Sequence, residues 1–325
     1  MAAVPRIYRS LGEVGPDFGP CALTIGNFDG LHEGHRDIMR QVVAVARVHH
    51  WKPSVLTFHP HPTTVVAPSR APKLLTTPEE RAALMAAEGI EQVLILPFDL
   101  EFSRTTAEQF VERIVAGKLG AKAVLVGDNF HFGKGQGGNT DGLRELGRRF
   151  GFDVHILTGV RVRGRMVSSS EVRRLIRGGE VSRACRLLGR PYALAGAVVT
   201  GRGVGSKQTV PTLNLATPAE VIPATGVYVT ETEDLENARR WPSLTNVGHR
   251  PTFGGGDLSI ETFLLKPLEG EPPRRIRVAF FLRLRDERKF ESAGALKSQI
   301  LEDVRRARTW FRRVENRVRN AAPVR

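Results

Sequence analysis

Residues 26–35 read Gly-Asn-Phe-Asp-Gly-Leu-His-Glu-Gly-His and set two imidazoles, His32 and His35, three positions apart with Gly34 between them. An apolar run, 21–25, precedes them, and Ile38, Met39, Val42, Val43 and Ala46 follow at helical spacing. The histidines therefore fall where a strand gives way to the first turn of a helix. Free backbone N–H groups and a partial positive charge make such a place suit a phosphate. Gly26, Gly30 and Gly34 leave the backbone bare for close approach, and Asn27 and Asp29 stand in the same turn. The pattern points to a nucleoside triphosphate held by a histidine pair. A glycine loop ending in Gly-Lys-Ser/Thr occurs nowhere in the chain.

Other stretches carry candidate chemistry. Thr57-Phe58-His59-Pro60-His61-Pro62 is a proline-stiffened turn whose histidines either face a ligand or are merely exposed. Gly127-Asp128-Asn129-Phe130-His131-Phe132-Gly133 holds two rings that serve either the core or a flat aromatic ligand. Ser168, Ser169 and Arg173 open a helix, where hydroxyls are ordinary caps but with an arginine also cradle phosphate. Further on, Gly201, Gly203 and Gly205 with Lys207 form a loop able to turn amides toward phosphates. Thr212 and Asn214 add oxygens suited to Mg²⁺, a hard cation. Asn246-Val247-Gly248-His249 and Ile260-Glu261-Thr262 are polar insertions in strand-like runs.

These residues need a scaffold. Apolar, β-branched runs at 21–25, 54–58, 92–96, 123–127 and 153–157 alternate with helical patterns at about 33–48, 78–88, 105–118 and 141–150, with Thr77, Thr106 and Asp141 as candidate caps. Strand–helix alternation implies a parallel sheet covered on both faces, whose ligands gather at the carboxyl ends of the strands. After Gly189-Arg190-Pro191 the rhythm changes. Strand-like runs at 193–200, 226–232, 243–247, 258–265 and 276–284 have no helices between them, and a helix at about 293–317 ends the chain. A small antiparallel barrel fits that pattern.

Bulk properties narrow the class. At 325 residues, 41% apolar and 25% charged, the chain has the composition of a globular protein of two ordinary domains. Two cysteines build no disulfide framework, and no apolar run approaches a membrane span, so the expected location is the cytoplasm. The net charge of +14 is not accompanied by interleaved aromatic and basic residues, so nucleic acid is not the expected partner.

The motifs together resemble one family. Gly-Asn-Phe-Asp-Gly-Leu-His-Glu-Gly-His, Thr-Phe-His-Pro-His-Pro, Gly-Asp-Asn-Phe-His-Phe-Gly and Ser-Ser-Ser-Glu-Val-Arg stand in the order of the adenylyltransferase half of bacterial bifunctional riboflavin kinase/FAD synthetases. Pro-Thr-Leu-Asn at 211–214, the Asn246 segment and Glu261 resemble the kinase half. The resemblance implies an α/β protein. A Rossmann-like HxGH nucleotidyltransferase domain with a parallel sheet covers 1–188, and a small antiparallel β-barrel ending in a helix covers 189–325. It implies ATP-dependent phosphorylation of riboflavin to FMN, then adenylylation of FMN to FAD, with Mg²⁺ as cofactor. It makes His32, His35 and Glu261 catalytic. ATP and phosphate would be bound by Gly26, Asn27, Asp29, Gly34, Ser168, Ser169, Arg173, Gly201, Gly203, Gly205 and Lys207. Flavin would be bound by His61, Asn129, Phe130, Phe132, Asn246 and Arg283, and metal by Thr212 and Asn214. The family usually has Gly-Phe where this chain has Thr209-Val210. That departure leaves open a chain with only the adenylyltransferase half active, or a flavin- or nucleotide-binding regulator.

Overall fold

The computed structural model describes residues 5–199, 212–249 and 258–321. Gly201, Gly203, Gly205 and Lys207 lie outside the described residues. The chain divides into two compact units, Met1–Ser169 and Ser170–Arg325.

The first unit runs β1 (Arg6–Tyr8), β2 (Cys21–Ile25), α1 (Glu33–His49), β3 (Lys52–His59), α2 (Pro62–Val66), α3 (Pro78–Ala87), β4 (Gln92–Pro97), α4 (Ala107–Phe110), β5 (Ala121–Gly127), α5 (Thr140–Phe150), β6 (Asp153–Leu157) and a small hairpin, β7 (Arg161–Val162) and β8 (Arg165–Met166). Strands β1 to β6 form one parallel sheet in the order β1-β4-β3-β2-β5-β6. Alternate residues feed opposite faces. Leu23, Leu56, Leu94 and Val124 pack with Val111, Ile114, Val115 and Leu119. Ala22, Val55, Val93 and Leu125 pack with Met39, Val42 and Ala46 of α1. Both faces are thus covered, and β2 is buried throughout.

Several local expectations are met and two are corrected. Thr77 and Thr106 close capping boxes with Glu80 and Gln109. Asn139, not Asp141, caps α5, accepting from the amide of Gly142 at 2.9 Å. The expected helix over 105–118 is α-helical only to Phe110 and continues as a π-helix, Val111–Lys118. The wider register presses the carbonyl of Glu112 onto Gly117, where a Cβ would sit 2.7 Å from that oxygen.

The second unit runs α6 (Ser169–Arg177, starting at the division), α7 (Val181–Leu188), β9 (Tyr192–Val199), β10 (Thr212–Ala216), β11 (Gly226–Asp234), β12 (Arg240–His249), β13 (Leu258–Leu264), β14 (Arg275–Arg285) and α8 (Ala293–Ala321). The sequence puts the division at 188. Here α7 packs on β9 and β14, so the two short helices go with the second unit. The six strands close into an antiparallel barrel in the order β10-β13-β12-β11-β14-β9. On the outside, Ala307, Val304, Trp310 and Phe311 of α8 cover Val227, Val229, Leu244 and Leu282.

The barrel interior contains a hydroxyl chain. Thr232 meets Ser243 at 2.9 Å, Ser243 meets Thr230 at 2.8 Å, Thr230 meets Thr245 at 2.8 Å and Thr245 meets Thr262 at 3.0 Å. All five side chains are fully buried. The chain ties β11, β12 and β13 in one register, and a one-residue slip would turn every outward side chain inward. Thr245→Val keeps the shape but strands the Thr262 hydroxyl. It is expected to cost about 1–3 kcal/mol, read as a lower urea midpoint.

Asp234 closes the β11–β12 hairpin. Buried, it accepts from the Glu236 amide at 2.9 Å and from Asn237 Nδ2 and Arg239 Nη2, each at 3.0 Å. Burial works to raise this carboxyl, yet the hydrogen bonds from Asn237, the Glu236 amide and Arg239 outweigh it and hold it down at about 2. A depressed folded-state value stabilises above the ordinary 3.8 and is lost as pH falls toward 2. Asp234→Asn is therefore expected to lower stability at neutral pH by on the order of 2 kcal/mol. In urea titrations the gap from the parent protein should shrink between about pH 4 and pH 2.

Candidate active sites

The sheet order reverses direction at β2. The chain passes from β2 to β3 on one side and later returns to β5 on the other. A crevice at the carboxyl ends of β2 and β5 is where such sheets bind ligands. Both expected motifs lie at those ends, 26–35 after β2 and 127–133 after β5.

The loop after β2 is backbone-strained. Phe28, Gly30 and Leu31 have φ of 48°, 78° and 37°. Left-handed Phe and Leu persist only where the surroundings hold them. Asp29 does much of the holding. It is buried, and its carboxylate accepts from the amides of Leu75 and Thr76 and from the Thr76 hydroxyl at 3.0–3.1 Å. Those bonds fix the Leu75–Thr76 segment against the loop in which Asp29 is expected to shape the nucleotide site. Thr76 Oγ1 in turn accepts from the Gly30 amide at 3.1 Å.

The two histidines meet. His32 is the N-cap of α1, its Nδ1 accepting from the His35 amide at 3.3 Å. A neutral His32 then carries its proton on Nε2. The rings stack with centroids 3.6 Å apart, and the edge of Phe28 closes on His35 at 5.2 Å. Nδ1 of His35 is buried without a hydrogen-bond partner. Burial, then the neighbouring His32 and Arg81, hold His35 well below its ordinary 6.5, so it is neutral at pH 7. Gly34 lies against the pair, and a Cβ there would press on the His32 ring at 3.3 Å. Stacked imidazoles at a helix N-terminus, one with an unsatisfied ring nitrogen, suit an anion.

Arg81, which the sequence analysis passed over, reaches the same place. Its Nη1 donates to the Asn27 carbonyl at 2.7 Å and to Thr57 Oγ1 at 3.2 Å. The signal was present: this basic residue shares the apolar face of α3 with Ala82 and Met85.

The remaining first-unit candidates vary. Gly26 and Asn27 line the turn after β2. Ser169, the last residue of the first unit, donates its hydroxyl to the Asp29 carbonyl at 2.9 Å, and Ser168 is exposed beside it. Asn129 is exposed at the end of β5. Phe132 is 8% exposed and packs on Phe110, and half-buried Phe130, the more open of the two expected flavin contacts, stacks on it at 5.3 Å. His61 caps α2, accepting from the Thr63 amide at 3.2 Å. Arg173 belongs to the second unit.

In the second unit the pairing register builds a row. Glu261 on β13 stands directly opposite Asn214 on β10 and opposite Asn246 on β12. Ile260, Thr262 and Leu264 are buried in the barrel, so half-buried Glu261 projects outward with the two amides at its sides. Thr212, two residues from Asn214 on the same face, is exposed. A carboxylate between amides on a rigid wall can take a proton, and Asn and Thr oxygens suit a hard cation. Among the described residues, no cluster of three or more His, Cys, Asp or Glu forms a metal site. Arg283 works inside the unit, donating to the Thr225 carbonyl and pairing with Asp286 at 3.0 Å. Its stem lies over Gly179, where φ is +74° and a Cβ would come within 2.8 Å of Cδ.

Comparison with known proteins matches both units. Residues 16–171 match the FAD synthetase family model, and residues 188–311 match the riboflavin kinase model. The bifunctional riboflavin kinase/FMN adenylyltransferase of Pseudomonas fluorescens is 37% identical, over 93% of this chain and 97% of its own. That of Escherichia coli K12 is 34% identical, over 90% of this chain and 93% of its own. A crystal structure from Streptococcus pneumoniae titled macrolide-efflux protein superposes with a TM-score of 0.84 at 26% identity, covering 95% of this chain and all of that one.

Proposed function

This chain belongs to the family of bifunctional riboflavin kinase/FMN adenylyltransferases, and on that premise we propose which of its residues do the work. It phosphorylates riboflavin to FMN and adenylylates FMN to FAD, with ATP as the second substrate of both steps. We assign adenylyl transfer to residues 1–188 and phosphoryl transfer to residues 189–325.

In adenylyl transfer a phosphate oxygen of FMN attacks the α-phosphorus of ATP, the bond to the β-phosphate breaks and pyrophosphate leaves. No protein nucleophile takes part. The chain supplies position and charge. In our reading the α1 N-terminal amides and His32 Nε2–H face the polyphosphate, and His35 uses its unsatisfied nitrogen there. Donors fixed in place before the reaction stabilise the charge that develops on the leaving group. Asn27, Gly34, Ser168 and Ser169 shape the same pocket. Asn129 and Phe130 border the flavin.

In the kinase step Glu261 accepts the proton of the riboflavin 5′-hydroxyl as that oxygen attacks the γ-phosphorus, and ADP leaves. Asn214 and Thr212 would hold Mg²⁺ together with ATP phosphates. That ion would neutralise phosphate charge. The observation that carries this reading is the cross-strand row Asn214–Glu261–Asn246. We place the protein in the cytoplasm, because both cysteines are free, as a reducing compartment keeps them. No helix among the described residues is long and apolar enough to cross a membrane.

The test is a chromatographic assay with riboflavin, ATP and Mg²⁺ that resolves riboflavin, FMN and FAD. FAD formed through FMN is the expected result. FAD from added FMN, with none from riboflavin, would mean the kinase half is idle and Glu261 has no substrate.

A further inference from the structure

We propose that Arg81 is a positioning residue of the adenylyl-transfer site: it clamps the turn after β2 to the end of β3 and supplies a fixed positive charge beside the histidine pair. The inference rests on the placement of that reaction at His32 and His35.

The clamp is explicit in the bonds. One nitrogen, Nη1, donates both to the Asn27 carbonyl at 2.7 Å and to Thr57 Oγ1 at 3.2 Å. Thr57 Oγ1 itself donates to the Asn27 carbonyl at 3.3 Å. Three groups from α3, the loop after β2 and β3 thus close a triangle directly behind the strained 28–31 turn. Arg81 and Thr57 are 3% and 2% exposed, so the triangle is shielded from water.

The charge is costly and incompletely answered. A buried guanidinium is tolerated when paired, and replacement by an apolar residue of similar volume is often neutral or stabilising. Here Nε is buried with no partner, and no carboxylate bonds to Arg81 among the described residues. Asp29 and Glu79 attract it from a distance, but Asp29 spends its oxygens on Leu75 and Thr76, and Glu79 is bonded to Arg9. A group serving the fold alone has no need of a charge left short of partners. An anion arriving at the histidines would supply the missing counter-charge.

Arg81 also acts on His35. The ring of His35 is faced by His32 from α1, by Arg81 from α3 and by the uncharged edge of Phe28. Two of these neighbours oppose its protonation. His35 therefore meets the polyphosphate as a neutral imidazole, whose one N–H can donate to a phosphate oxygen.

The experiment uses the full chain and three variants: Arg81→Met, Arg81→Lys and Thr57→Val. FMN adenylylation is followed from about pH 5 to pH 8, resolving kcat from the KM for ATP, and the His35 ring is titrated by NMR without ligand. A melting curve of each variant reports whether the first unit, which holds Arg81 and Thr57, is folded. Arg81→Met should lower kcat/KM for adenylylation by about 100-fold and raise the His35 midpoint. Arg81→Lys should hold the midpoint near its original value and recover about tenfold of the rate. Thr57→Val, which loosens the clamp but keeps the charge, should slow the reaction by about tenfold with the midpoint unmoved. Should Arg81→Met fail to fold, Arg81→Lys and Thr57→Val still separate clamp from charge. A His35 midpoint indifferent to Arg81→Met, or a lysine variant as slow as the methionine one, would overturn the proposal. His35→Ala with undiminished FAD formation would instead remove the site assignment beneath it.

Discussion

Glu261→Gln is expected to slow riboflavin phosphorylation by about 100- to 10,000-fold while FMN-to-FAD conversion stays within about twofold of the parent protein. The glutamine matches the glutamate in size and hydrogen-bonding reach, so Asn214 and Asn246 still flank it and β13 keeps its pairing. What disappears is the group that takes the proton of the 5′-hydroxyl. A loss confined to kcat, with the riboflavin KM little changed, would show that the carboxylate acts in the transition state. The adenylyl-transfer residues lie in the other unit, on β2 and α1, and have no stake in this proton. HPLC of timed reactions started from riboflavin and, separately, from FMN reads both activities in one preparation. Loss of both in a protein that melts normally would end the division of labour. Full phosphorylation by the glutamine variant would return Glu261 to the status of a solvated strand residue.

The parts of this protein most legible in its sequence were those with long periods or short, chemically loaded turns. The amphipathic run Met39, Val42, Val43 and Ala46 fixed α1, and its start at His32 followed from the apolar strand just before it. Strands β2 to β5 were visible because each is a mostly apolar run long enough to cross a sheet covered on both faces, while the edge strand β6 shows as Val154, Ile156 and Leu157 between polar residues. β1 was not, since three residues, Arg6-Ile7-Tyr8, carry no periodicity. β10 escaped for a different reason. Thr212, Asn214 and Ala216 look outward and only Leu213 and Leu215 look in, so five residues present a weak alternation masked by the chemistry of the polar ones. Its discovery closes the barrel and places Asn214 beside Glu261. The functional pattern was read more fully than the packing that holds it. Asp29 and Phe132 stand in the motifs, yet the fold uses one to anchor a loop and the other as core. Arg81 stands outside every motif, because its partners come from segments 24 and 54 positions away. Contacts of that kind leave no periodic trace.

The histidine pair sets the second large effect. His32→Ala with His35→Ala should stop FAD formation, by at least about 1,000-fold, and let FMN accumulate from riboflavin at its normal rate. The double change mixes two losses, however. His32 caps α1, and an alanine there leaves the His35 amide without its acceptor, at a cost of about 1 kcal/mol. His32→Asn separates them. Asparagine is among the best N-caps and should return α1 to near its normal stability, yet it has no imidazole to set against the polyphosphate. A variant that melts like the parent but makes FAD about 100-fold more slowly would assign the effect to chemistry rather than to the helix. His35→Ala carries no capping penalty and removes the unsatisfied Nδ1, so its loss should fall on the reaction directly. The acid limb gives an independent reading. Burial and the neighbouring His32 and Arg81 hold His35 below 6.5, and if neutral His35 is the working form, adenylylation should persist on the acid side of that value. A rate that fell with a midpoint at the ordinary histidine value would mean that some other, exposed histidine controls the step.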